Sequence, residues 1–109
     1  MSLLDRLFGR APEPVPLVLY SKPGCHLCEV LEAELARLDL GRPVTLERVD
    51  IGGDPKLMEL YGKRIPVLAA AGKPILEGRG DVRALRAAFE ARAAEWDRAR
   101  ELARALERD

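Results

Sequence analysis

The 109 residues suffice for one compact domain and leave no room for a second. Eighteen basic residues balance eighteen acidic ones, so no net field recruits nucleic acid or an anionic membrane surface, and neither is an expected partner. Asn and Gln are absent and Arg far outnumbers Lys, a pattern that fits a thermophile, although a GC-rich genome favours the same residues.

Residues 1–14 read as a separate N-terminal piece. Leu3, Leu4, Leu7 and Phe8 recur at helical spacing and predict a short amphipathic segment, and the prolines of residues 11–16 predict an extended linker behind it. Asp5 and Arg6 break the apolar run and no small-residue cleavage site follows, so no export signal is expected and the location is read as cytoplasmic. The domain proper is expected over residues 15–109. Leu17, Val18, Leu19 and Tyr20 form an apolar run far shorter than the ~20 residues of a membrane span. Stopped by Ser21-Lys22-Pro23-Gly24, this run predicts a first strand buried on both faces.

From Cys25 onward Leu27, Leu31, Leu35 and Leu38 share a face with Val30 beside them, while Glu29, Glu32, Glu34 and Arg37 take the other. The spacing predicts a helix that stops at Gly41 and Pro43, and Val44, Leu46 and Val49 predict a second strand ending at Asp50. Asp54-Pro55 combines an N-cap with a favoured first helical residue, and Leu57, Leu60 and Tyr61 predict a short helix closed by Gly62. Ile65-Pro66-Val67-Leu68 resumes strand character. Gly72 and Lys73 punctuate the chain before Pro74-Ile75-Leu76, a strand that its proline assigns to a sheet edge. Asp81 is placed to cap a last helix carried by Val82, Leu85, Phe89, Trp96 and Leu106. At ~1.5 Å per residue that helix outreaches a domain of this size. Trp96, Leu102 and Leu106 are therefore expected to pack on residues 1–10, on a second copy in a homodimer, or on a partner. The fold class is α/β. Strands joined through a helix should run parallel and strands joined by a tight turn antiparallel, giving a mixed four-stranded sheet flanked by helices, with a long C-terminal helix.

The chemistry centres on Cys25 and Cys28. In a reducing cytosol a C-x-x-C pair points to redox or metal chemistry rather than a structural staple. Here the pair follows a strand and a Lys-Pro-Gly turn and opens an amphipathic helix. Unpaired N–H groups and the positive dipole end at a helix start stabilise a thiolate relative to free cysteine, whose pKa is roughly 8.5. Cys25 is thus the expected nucleophile, and Cys28, within one turn of it, the resolving thiol. Zinc usually takes four ligands, and the single histidine, His26, lies inside the motif, so no metal site is expected. His26 either favours the thiolate when protonated or is a solvated surface residue; both readings stand. Lys63 and Arg64 either bind a substrate carboxylate or serve solubility.

Val18-Leu19-Tyr20-Ser21-Lys22-Pro23-Gly24-Cys25-His26-Leu27-Cys28, with Asp50-Ile51 and Ile65-Pro66-Val67 downstream, resembles the glutaredoxin-like branch of the thioredoxin superfamily. The resemblance implies a thioredoxin-like fold and a thiol-disulfide oxidoreductase acting on protein disulfides, glutathione mixed disulfides or small-molecule thiols. It implies a cis bond before Pro66, backbone pairing of Ile65 with substrate, and glutathione contacts from Lys22 and from Gly80 and Asp81. No tightly bound cofactor is implied, with glutathione or another thiol as reductant. The family's Cys-Pro-Tyr-Cys is replaced by Cys25-His26-Leu27-Cys28, and its Gly-Gly pair is broken by Arg79, so weaker glutathione binding is expected. Two other readings remain: a glutathione-assisted iron-sulfur cluster held by Cys25 between two protomers, and an interaction module with little redox activity.

Overall fold

The computed structural model describes residues 13–107. The segment expected over residues 1–10, and its packing on the last helix, lie outside the described residues. The elements are β1 (Val15–Ser21), α1 (His26–Arg37), β2 (Val44–Asp50), a 3-10 turn (Ile51–Gly53), α2 (Pro55–Tyr61), β3 (Val67–Ala70), β4 (Lys73–Glu77) and α3 (Val82–Glu107). They build a mixed sheet of order β2-β1-β3-β4. β1 pairs parallel with β2, Val15 opposite Val44 and Ser21 opposite Asp50, and antiparallel with β3, Leu17 opposite Ala70 and Tyr20 opposite Val67. β3 and β4 are antiparallel.

One face of the sheet carries the core. Val15, Leu17 and Leu19 point to it from β1, where they meet Leu31 of α1, Leu85, Phe89 and Ala93 of α3, and Leu68, Ala70 and Leu76 of β3 and β4. Three turns of α3 supply its part because 85, 89 and 93 recur at the i, i+4 spacing of one helix face. The opposite face is covered by α2, where Tyr20 stacks on Tyr61 with ring centroids 4.5 Å apart. That cover is partial. Val18 and Tyr20 stay half-exposed, so β1 is an alternating strand and not one buried on both faces. Burial is also what raises the Tyr20 hydroxyl above the usual tyrosine range, with smaller contributions from Tyr61 and Glu47.

Other boundaries shift for identifiable reasons. α1 ends at Arg37, capped by the Leu38 N–H on the Glu34 carbonyl, before the helical rhythm of Leu38 runs out. Its buried face is led by Cys28 and Leu31, while Val30 is 44% exposed and belongs to the solvent side. Between β3 and β4 the turn is Ala71-Gly72, both at positive φ (47° and 84°), so Lys73 opens β4 instead of sharing the turn. Two central residues at positive φ give the hairpin twist that antiparallel strands need. Arg92 of α3 donates to the carbonyls of Ala70 and Ala71 at 3.0 and 2.5 Å and so ties this turn to the helix. The outer strands are blunted, β2 by Glu47 and Arg48 and β4 by Pro74 and a register shift.

α3 continues well past the core. Trp96 is half-buried against the core cluster, flanked by the Arg100 guanidinium 4.4 Å and the Arg42 guanidinium 6.0 Å from its ring. Arg42 also donates twice to Asp97, at 2.7 and 3.1 Å, and Arg100 pairs with Glu13, which locks the α1–β2 loop and the chain entering β1 onto α3. Leu102 and Leu106 are 62% and 69% exposed, so among the described residues Trp96 packs and these two do not. No helix among the described residues is long and apolar enough to cross a membrane.

Candidate active site

Both cysteines sit where the carboxyl end of β1 turns into α1. Gly24, at φ 79°, reverses the chain there, and the Cys25 N–H donates to the Lys22 carbonyl at 3.2 Å. Cys25 is the N-cap of α1: its backbone is extended and its Sγ accepts the Cys28 N–H at 3.2 Å. The two are joined as a disulfide, with Cα atoms 5.3 Å apart. Cys25 is half-buried, less open than its place at the helix start suggests, and Cys28 is 5% exposed on the core side of the helix.

One group of residues adjoins the pair, and a second gathers at the start of β3. On one side a cavity of about 290 Å³ is lined by both cysteines together with Leu19, Lys22, Glu32, Arg48 and Asp50. Lys22 is positioned by the 3-10 turn, its Cγ 3.6 Å from where a Cβ on Gly52 would stand, and Asp50 holds that turn by accepting the Gly52 N–H at 2.8 Å. Glu32 of α1 and Arg48 of β2 form an ion pair in the cavity wall.

The other group lies where β3 begins. Tyr20 pairs with Val67, which brings Pro66 alongside the end of β1, and the Ile65–Pro66 bond is cis. The Gly78 N–H donates to the carbonyls of Arg64 and Pro66, at 3.0 and 2.8 Å, and joins this loop to the turn after β4. Gly80 follows, with no room for a side chain beside Leu76, and Asp81 accepts the Arg83 N–H at 2.8 Å to open α3. The structure thus brings Ile65, Pro66, Gly80 and Asp81 into one loop cluster, while Lys22 shares the cavity with the cysteines. Arg64 is neither a loose surface cation nor poised for a ligand. It donates to Glu77 and to the Leu60 carbonyl and stacks over Tyr61, so it braces the loop before Pro66. Its hydrogen bond holds the Glu77 carboxyl below the usual glutamate range.

Glu32 and Arg48 are the site residues that sequence reasoning missed. Glu32 is four residues from Cys28, an i, i+4 relation readable on a helical wheel, but the cavity that both line is closed only by Arg48 and Asp50 of β2. Among the described residues no cluster of three or more His, Cys, Asp or Glu side chains forms a metal site.

A thioredoxin-like fold carrying a C-x-x-C pair at the start of its first helix is the class this geometry defines. The model of the glutaredoxin-like domain (DUF836) matches residues 16–90, and the chain belongs to that family. The solution NMR structure of protein Ne2328 from Nitrosomonas europaea is 36% identical, with a TM-score of 0.62 over 72% of this chain and 94% of that one. An X-ray structure of a protein from X. campestris is also 36% identical, with a TM-score of 0.57 over 69% of this chain and 96% of its own. A mutant thioredoxin from Halobacterium salinarum is 27% identical, with a TM-score of 0.51 over 74% of this chain and 76% of that one. No curated protein matches the chain.

Proposed function

We propose that this chain is a thiol-disulfide oxidoreductase that reduces protein disulfides or glutathione mixed disulfides in the cytoplasm through Cys25 and Cys28. The observation that carries the reading is the asymmetry of the pair: Cys25 caps α1 at its electropositive end and reaches solvent, whereas Cys28 is buried as the third residue of the helix. In the reduced protein the Cys25 thiolate attacks one sulfur of the substrate disulfide. A Cys25–substrate bond forms, the substrate S–S bond breaks, and the leaving sulfur takes a proton from water. Cys28, once deprotonated, attacks Cys25 Sγ, closing the intramolecular disulfide and releasing the second substrate thiolate. Two electrons pass to the substrate, and an external thiol donor such as glutathione returns them. No bound cofactor is required. Lys22, the Ile65 backbone, Pro66, Gly80 and Asp81 form the surface that orients the substrate.

The test is a trapping experiment. Cys28→Ser should accumulate a stable mixed disulfide with a disulfide-containing protein substrate, and Cys25→Ser should not. Alkylation of the reduced protein at about pH 6, read by mass spectrometry, should label Cys25 first. If Cys28 alkylates first, or if Cys25→Ser holds the adduct, nucleophile and resolver are reversed; if neither variant traps and the wild type shows no turnover, the redox reading fails.

A further inference from the structure

We propose that the cleft between α1 and β2 is a docking site for a large apolar side chain of a polypeptide disulfide, about four residues from the substrate cysteine that Cys25 attacks. The inference rests on the dithiol reading above and narrows its substrate to proteins and peptides.

A cavity of about 340 Å³ lies in this cleft, on the opposite side of β1 from Pro66 and its loop cluster. Leu17, Leu35, Leu38, Leu40, Val44 and Leu46 line it. Leu17 and Leu40 are buried and form its floor, whereas Val44 is 36% exposed. Apolar walls with a few polar groups are the make-up of a binding pocket. The charged groups here are already engaged. Arg48 pairs with Glu32, Arg42 pairs with Asp97, and Asp39 accepts the Gly41 N–H at 2.8 Å. Two basic residues, Arg42 and Arg48, and two acidic ones, Glu32 and Asp39, share the lining, so the cavity has no net charge to hold an ionic ligand. Its apolar surface suits a neutral aliphatic or aromatic group, which gains by leaving water.

The position of the cavity says where that group comes from. Glu32 and Arg48 line both this cavity and the one at the cysteines, so the two adjoin across their ion pair. The parallel register sets the separation. Ser21 pairs with Asp50 beside the cysteines and Leu17 pairs with Leu46 in the apolar cavity, and four residues of strand span ~13 Å. α1 agrees: Leu35 and Ala36 stand two turns beyond Cys28, roughly 11 to 12 Å along the helix. An extended peptide covers ~13 Å in four residues. Four is also an even step, which returns the side chain to the face that carries the reacting sulfur. A small-molecule disulfide cannot span both places.

The experiment compares kcat/KM of the full chain for disulfide-linked peptides with Leu or Ala as the fourth residue from the cysteine, on its N-terminal or its C-terminal side. On one of the two sides Leu should exceed Ala by about tenfold, the gain expected from burying a leucine side chain. Ala36 is exposed and lines the cavity, so Ala36→Phe should fill it and bring the Leu-to-Ala ratio near one. The ratio is taken within one protein, so a general loss of folded enzyme leaves it unmoved. Equal rates for Leu and Ala on both sides, or a preference that survives Ala36→Phe, would overturn the assignment. So would a dimer in sedimentation that Ala36→Phe disperses, which gives the cleft to a second copy. Faster proteolysis within residues 1–10 of that variant would overturn it too, giving the cleft to the chain's own N-terminal segment. No turnover of any peptide by the wild type would instead sink the dithiol reading.

Discussion

Replacing Gly80 with alanine tests how tightly the turn beside the site is packed on the core. The added Cβ would overlap Leu76 Cδ1 and lie 3.0 Å from Leu76 Cγ and 3.2 Å from the Glu77 carbonyl oxygen. Leu76 is 9% exposed and packs with Leu68, Leu85 and Phe89, so it cannot swing away without opening a void. Overpacking of this kind costs ~1–3 kcal/mol. The smaller conformational freedom of alanine in the unfolded chain returns ~0.4–1 kcal/mol. The net expectation is a loss of about 1 to 2 kcal/mol, which for a domain near 100 residues lowers Tm by roughly 4 to 8 °C or more. Gly53→Ala is the matched control, because nothing lies within 4 Å of its added Cβ and its backbone is outside the left-handed region. It should change stability by less than ~0.5 kcal/mol. Calorimetry of the two variants decides the matter. Should Gly80→Ala melt within a degree or two of Gly53→Ala, the packing argument is wrong. Turnover should also fall in Gly80→Ala, since the same turn carries Asp81 and the Gly78 N–H that bonds the Pro66 carbonyl.

The Arg42 hydrogen bonds hold the Asp97 carboxyl below the usual aspartate range, helped by the charges of Arg42 and Arg100. A carboxyl whose folded pKa is depressed stabilises above its unfolded value, ~3.9, and that contribution is lost as pH falls through the folded one. Asp97→Asn should therefore lower the urea midpoint at pH 6, by less than ~1 kcal/mol in stability because the pair is half-exposed, and leave it unchanged near pH 2; equal losses at both would contradict the linkage. The absent amides and abundant charges lead to an expected unfolding midpoint above ~65 °C, and a calorimetric value within the mesophile range of ~45 to 65 °C would refute the thermophile reading. Glutathione should bind weakly, because Arg79 interrupts the glycine turn, and Lys22→Ala should weaken it further; tight binding that ignores Lys22→Ala would show the family's contacts do not carry over.

Much of this protein is local in origin and so is legible in the chain. Asp54-Pro55 announces α2 because a side-chain cap and a fixed φ act within one turn: Asp54 accepts from the Lys56 and Leu57 N–H groups where the residues themselves say it should. The proline of Pro74-Ile75-Leu76 rules out a central strand, and β4 is an edge. Cys25-His26-Leu27-Cys28 after a Lys-Pro-Gly turn already fixes which sulfur begins the helix and which lies within it. What the chain could not show depends on residues far apart meeting. Whether β1 is covered on both faces depends on how far the seven-residue α2 reaches, and Val18 and Tyr20 remain half-exposed because it is short. Arg64 looks like any surface cation until β4 brings Glu77 beside it. Glu32 sits on what the helical period marks as the solvent face, and only the folding of β2 along β1 carries Arg48 across to it and closes a polar cavity around Cys28. Periodicity records the environment of a residue along its own element; the partner that turns an ordinary carboxylate into part of a site arrives through the sheet register, which tertiary packing alone selects.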